Sequence, residues 1–236
     1  MQKQEFIHNL FSRIAGKYDF LNDLMTLSLH RQWKQILVNN AAAGIKSRGA
    51  KVLDLCTGTG DIAEIWIKNP SVSEVIGLDS CAPMLQVGYR NLEKKYNGAP
   101  PKLKMMEGDA LEIPFPANYF DAVTVGFGLR NVSDLVKAIQ EIHRVLKPGG
   151  IVASLDLGHP SIPLIDTIYK KIFLKIIPLL GSGFASDKDA YQYLVNSLKN
   201  WPRQKDLTQG FYDMGFSRSY YRDLMLGSIA IVAAQK

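Results

Sequence analysis

Short apolar runs recur along the chain and alternate with amphipathic stretches. Lys51–Cys56, Glu74–Asp79, Lys102–Glu107, Phe120–Val125 and Ile151–Asp156 are each six residues long and sit next to glycine, proline or polar turns. That length predicts strands buried within a parallel sheet. Between them, Ile62–Ile67 has helical apolar character and is closed by Asn69-Pro70, and a helix starting near Pro83 carries Met84, Leu85 and Val87. A further helix is expected from Ser133, as N-cap, to Leu146, stopped by Lys147-Pro-Gly-Gly150. Such alternation implies βαβ units and a sheet with helices on both faces. Residues 6–46 read as helices and turns, with Trp33, Ile36, Leu37 and Val38 on an apolar side. The rhythm breaks over 157–200, and Gly215–Arg222 and Ser228–Ala234 close the chain as two strands around Leu226-Gly227. The expected organisation is one α/β domain with a mostly parallel seven-stranded sheet. Its parts are a helical flap (1–46), a ligand-binding core (47–156), an inserted helical cap (157–205) and the closing strands (206–236).

Composition narrows the class. With 47% hydrophobic and 21% charged residues in 236, dominant disorder is excluded. No run of ~18 uncharged apolar residues is present to span a bilayer, and MQKQEF has no signal-peptide apolar region. Cys56 and Cys81 show neither disulfide-framework nor zinc spacing, so a reducing cytoplasm is expected and no metal. The net charge is +6, and residues 165–205 carry seven basic against three acidic side chains. Within that stretch, Ile162–Leu180 joins a large apolar surface to Lys170, Lys171 and Lys175 and to the aromatic pair Tyr169 and Phe173. Such a segment suits peripheral contact with an anionic membrane. It would equally pack as a cap helix or serve a subunit interface.

The candidate chemistry lies at the strand ends. Gly58-Thr-Gly60-Asp-Ile-Ala63 follows the first strand and opens a helix, and Asp79, nineteen residues after Gly60, ends the second strand. Glycines allow close backbone approach to a nucleotide-like ligand, and a carboxylate there accepts from both ribose hydroxyls. A nicotinamide dinucleotide shares these features. Asp54, just before the glycine turn, would oppose a pyrophosphate but suit a cationic ligand. Glu107-Gly-Asp109-Ala110 adds an acid that can accept from an adenine amine. The acids favour S-adenosylmethionine, a sulfonium without phosphate. Cys56 and Cys81 fall near the same crevice.

Val52–Gly60 and Gly77-Leu-Asp79 resemble the first two motifs of class I S-adenosylmethionine-dependent methyltransferases, with their Rossmann-like fold. More selectively, Tyr18–Trp33, Gly126-Phe-Gly-Leu-Arg-Asn131 and Arg144–Gly150 resemble the menaquinone/ubiquinone biosynthesis C-methyltransferase family over residues 6–236. The resemblance implies cofactor contacts at Thr59, Asp79, Asp109, Ala110 and Gly126, alongside Asp54, Gly58 and Gly60. It departs from the family at Gly126, where a serine contact would be lost, at Asp109 for asparagine, and mildly at Leu21 and Thr26. Asp156, where some ubiquinone-type members have glutamate, and the tail resemble the naphthoquinone branch.

The resemblance also implies a prenylated quinol as substrate. Its ring carbon attacks the methyl group only once the neighbouring hydroxyl loses its proton. Arg130, an arginine that stays protonated, is the candidate stabiliser of the quinolate or organiser of a water, and Asn131 would orient a hydroxyl. An Arg130 ion pair of purely structural use is the alternative. His30 and His159 are alternative bases by their ordinary pKa. Tyr18, Asp19, His30 and Tyr169 are the expected substrate contacts. Three competitors lose on sequence grounds. A nucleic-acid methyltransferase would need the proline-aromatic pattern that grips a flipped base, absent from Gly126–Asn131. A dehydrogenase is disfavoured by Asp54. A non-enzymatic quinone carrier would show a broken cofactor motif.

Overall fold

A computed structural model of the chain describes residues 2–46, 48–162, 166–167, 197–198 and 200–236. Three helices come first: α1 (Gln2–Ile14), α2 (Tyr18–Thr26) and α3 (Leu29–Ala42). The core then runs β1 (Ala50–Leu55), α4 (Asp61–Ile67), β2 (Val72–Asp79), α5 (Ala82–Tyr96), β3 (Leu103–Glu107), β4 (Phe120–Gly126), α6 (Leu135–Val145) and β5 (Leu146–Leu157). It closes with α7 (Gln204–Asp213), β6 (Arg218–Leu224) and β7 (Ile229–Gln235). The seven strands lie in the order β3-β2-β1-β4-β5-β7-β6. All neighbours are parallel except β7, which runs antiparallel between β5 and β6. The order reverses between β1 and β4, and a crevice opens beyond the carboxyl ends of the strands at such a switch point.

Strand alternation assigns the two faces. Leu53, Leu55, Val123 and Val125 pack with Ile139 and Ile142 of α6 and Phe211 of α7. Ala50, Val52 and Ala122 pack on the other face with Trp33 and Leu37 of α3 and Trp66 of α4. Among the described residues no helix is long and apolar enough to cross a membrane.

Two expected boundaries are corrected. The N-cap of α6 is Asp134, not Ser133: the Asp134 carboxylate accepts from the backbone N–H of Lys137 at 3.0 Å. Lys147-Pro-Gly-Gly150 also does not lie outside the fifth strand, because β5 already begins at Leu146. Leu146 pairs with Phe120 and Ile151 with Ala122, so the extra residues form an irregularity where proline and glycine are tolerated. There the Gly149 N–H donates to the Lys236 carbonyl, and the Lys236 N–H to that of Gly150. Tyr169 and nearly all of Ile162–Leu180 lie outside the described residues.

Candidate cofactor and acceptor cleft

After β1 the chain turns sharply, with positive φ at Cys56 (56°), Gly58 (57°) and Gly60 (85°). The turn brings the Gly58 N–H to Asp79 Oδ2 at 2.8 Å, while Asp79 Oδ1 accepts from the Cys81 N–H at 2.9 Å. Burial raises the Asp79 pKa, and the donated backbone N–H groups oppose that. Each carboxylate oxygen keeps a further lone pair for a ribose hydroxyl. After β3, Asp109 folds back so that Oδ1 accepts from the Leu111 N–H at 2.9 Å, and Ala110 is buried beside it. Beyond β4, Phe127 adopts φ +58° and opens the chain into the turn at Gly128.

These strand ends enclose a cavity of about 360 Å³, within the usual size of small-molecule sites. Of the residues expected to bind ligand, it is lined by Tyr18, Gly58, Asp79, Asp109, Ala110, Gly126 and Asn131. Cys56 and Cys81 line it as well. Its remaining wall was not foreseen: Glu5, His8 and Phe11 of α1 roof it, and Met84 and Phe127 flank it. Glu5, His8 and Phe11 recur at every third position, so one face of a helix was the available signal.

Asp54 is the plainest correction. It follows Ala50 and Val52 on the sheet face beneath α4 and is completely buried. It accepts from the Thr57 hydroxyl, the Ala63 N–H and the Thr124 hydroxyl, and so braces the glycine turn from behind. Thr59 and Gly60 also do not line the cavity among the described residues. Thr59 Oγ1 donates to Asp19 Oδ1 at 2.7 Å, so Asp19 meets the loop and not an acceptor. His30 is buried away from the cleft, with Nε2 2.9 Å from Asp23 Oδ1. Burial first, and then Lys34, lower its pKa. His159 is placed against the Trp201 carbonyl, so neither histidine expected as a base reaches the cavity.

Arg130 sits behind the cleft wall. Its Nη1 donates to Asp156 and to the Phe127 carbonyl, and Asn131 Nδ2 donates to the same carbonyl at 3.2 Å. Both groups therefore hold the turn that carries Phe127, while only Asn131 lines the cavity. At Gly126 an added Cβ would stand 2.3 Å from Ile62 Cδ1, so a side chain there would press on α4.

The donor set tests the cofactor. Asp79, Asp109 and Glu5 line the cleft with one imidazole, and no lysine or arginine does so among the described residues. A pyrophosphate would find no lysine or arginine there among the described residues, whereas a sulfonium, an amine, a ribose and an adenine find carboxylates and backbone. S-adenosylmethionine fits.

Comparison with known proteins agrees. The model of the ubiE/COQ5 methyltransferase family matches residues 1–236. A ubiquinone/menaquinone biosynthesis C-methyltransferase of Francisella philomiragia is 38% identical over 231 residues, covering 98% of this chain and 90% of that protein. A demethylmenaquinone methyltransferase of Staphylococcus saprophyticus is 37% identical over 234 residues, with 97% and 95% covered. Among solved structures, a possible histamine N-methyltransferase of Thermotoga maritima superposes with TM-score 0.62 at 15% identity, over 97% and 99% of the two chains. A protein of Methanococcus maripaludis described as a putative S-adenosylmethionine-dependent methyltransferase superposes with TM-score 0.63 at 18% identity, over 95% and 93%. These likenesses are of fold. With its switch-point cleft, its acid lining and a match over its whole length, the chain belongs to the ubiE/COQ5 methyltransferase family and is an S-adenosylmethionine-dependent methyltransferase.

Proposed function

We propose that this enzyme methylates a ring carbon of a prenylated naphthoquinol. Quinone-ring C-methylation is the coarser part of that reading. Naphthoquinol is preferred because menaquinone is the product class common to the names of both relatives. One observation carries the reading: a cleft at the switch point lined, among the described residues, by carboxylates without a lysine or arginine, and closed by Tyr18, Phe127 and Asn131. The carboxylates select the methyl donor, and the apolar and aromatic wall accepts a ring.

When bound, the cofactor supplies an electrophilic methyl group. Asp79 would hold the ribose, and Asp109 and Ala110 the adenine. Phe127 and Asn131, fixed through the Phe127 carbonyl, would orient the ring and its hydroxyl so that the reacting carbon faces the methyl. Arg130 acts from behind, as a positioning residue that ties that turn to Asp156 on β5. The acceptor's polyprenyl tail comes from a bilayer, and the protein meets that bilayer peripherally.

The test is methyl transfer from labelled S-adenosylmethionine to short-tailed demethylnaphthoquinol and to a benzoquinol analogue, both kept reduced. Turnover is expected on the naphthoquinol. Asp79→Ala should weaken donor binding, whereas Arg130→Ala should bind donor normally and lose kcat. Turnover confined to the benzoquinol would reverse the ring assignment. Donor binding without turnover on either ring would overturn the acceptor class.

A further inference from the structure

Two polar contacts join the N-terminal helices to the glycine turn, and they land on either side of one residue. Asp19 of α2 accepts from the Thr59 hydroxyl at 2.7 Å, and Lys34 of α3 donates to Asp61 Oδ2 at 2.7 Å. Thr59 and Asp61 flank Gly60. Thr59 and Lys34 are buried, so both contacts form largely out of water, where a lost partner costs most. Burial raises the Asp61 pKa, but Lys34 together with His30 and Arg31 holds the carboxyl below its usual range.

The loop is gripped from its other side as well. Gly88 of α5 lies so close that a Cβ there would stand 2.4 Å from the Thr59 carbonyl oxygen. The Thr59 peptide is therefore held between α5 and the flap. Tyr18, which lines the cavity, directly precedes Asp19. A shift of the glycine turn must be carried through Thr59 and Asp19 to the tyrosine that walls the cleft.

We propose that Asp19 and Lys34 form a two-point clamp on the glycine turn, which makes methyl-donor binding and closure of the flap a single event. Asp19 is a positioning residue: it acts on the cleft through Thr59 and Tyr18. The inference rests on the methyl-donor reading of the cleft but not on the identity of the acceptor. Linkage is reciprocal, so whatever donor binding does to flap closure, closure does to donor affinity.

The experiment uses the full chain without any quinol. Donor affinity is measured by calorimetry, and flap closure by the rate of tryptic cleavage at Arg13 and Lys17, both exposed. In the wild type, S-adenosylmethionine should slow that cleavage. Asp19→Ala and Thr59→Val should each weaken donor binding by about tenfold, the scale of one hydrogen bond to a charged group, and abolish the protection. The double variant should be no worse than either single one, because one contact is lost in all three. Asp19→Asn keeps an acceptor oxygen and should restore both readouts, which separates positioning from a general loss of fold. Additive losses, or an effect of Thr59→Val without one of Asp19→Ala, would overturn the clamp and place the Thr59 hydroxyl on the cofactor itself. Lost donor affinity with intact protection would overturn it too. Failure of the wild type to bind donor at all would instead remove the methyl-donor reading.

Discussion

At Asp54, burial outweighs three donated hydrogen bonds. Thr57, Thr124 and the Ala63 N–H all donate to it, yet its carboxyl is pushed up to about 7. The ordinary value is 3.8. Between roughly these two values the folded chain binds more protons than the unfolded one, so this group's stabilising contribution is present at low pH and is lost as pH rises toward 7. The slope reaches at most about 1.4 kcal/mol per pH unit. Asp54→Asn removes the titration. Its melting temperature should therefore improve relative to the wild type between pH 5 and pH 8, and a constant difference across that range would show that Asp54 does not titrate there. The sequence marked this carboxylate, but its use was misread. Strand alternation places residue 54 with Ala50 and Val52 on the α4 face, and that signal was available. Asp79, by contrast, was legible because it ends a strand, where the side chain meets the crevice.

Elements were legible at their centres and misplaced at their ends. The five apolar runs all became strands, because a continuous buried run has few other solutions in a βαβ chain. Their limits depend on partners far away. Lys147-Pro-Gly-Gly150 looks like a breaker locally, yet it pairs with Lys236 at the far end of the sequence. Ser133 and Asp134 are adjacent and both are good caps, so preference alone cannot choose between them. In the structure only Asp134 meets the Lys137 N–H. Asp134→Ala should cost about 1 kcal/mol in denaturant unfolding, and Ser133→Ala less than about 0.5 kcal/mol. The reverse order would return the cap to Ser133. The roof formed by α1 was unreadable for a similar reason. Its helical spacing can be seen, but nothing local says which face lies over Asp79.

Across the whole molecule, the two most exposed large apolar side chains among the described residues lie in turns. Tyr220 of β6 donates to Asn40 of α3 at 2.7 Å, and through β7, β5 and β4 it is level with Asp54, one residue before the carboxyl end of β1. From Asn40 the helix runs back to Leu29, and Leu27 lies in the turn between α2 and α3. From Tyr220 the strand climbs four residues to Leu224, level with Leu157 at the carboxyl end of β5, and Met225 and Leu226 form the turn back to β7. Leu27, in the turn after α2, whose Asp19 reaches the glycine turn, and Leu226, in the turn after β6, both lie toward the carboxyl edge of the sheet, where the cleft opens. They are 82% and 71% exposed and sit at φ +50° and +59°, a region leucine enters only at a cost. Phe20, Leu24 and Met25 are exposed on α2, and Met225 in the turn after β6. An apolar rim of this kind beside a cleft proposed to take a prenylated ring would suit the surface of a bilayer, and the net charge of +6 favours anionic lipid. The protein should co-sediment with vesicles containing phosphatidylglycerol at low salt and less so at high salt. Leu27→Asn combined with Leu226→Asn should abolish the binding without loss of melting temperature, because asparagine accepts left-handed backbone more readily than leucine. Binding unchanged in that double variant would move the contact away from this rim. No co-sedimentation of the wild type would remove peripheral membrane contact altogether.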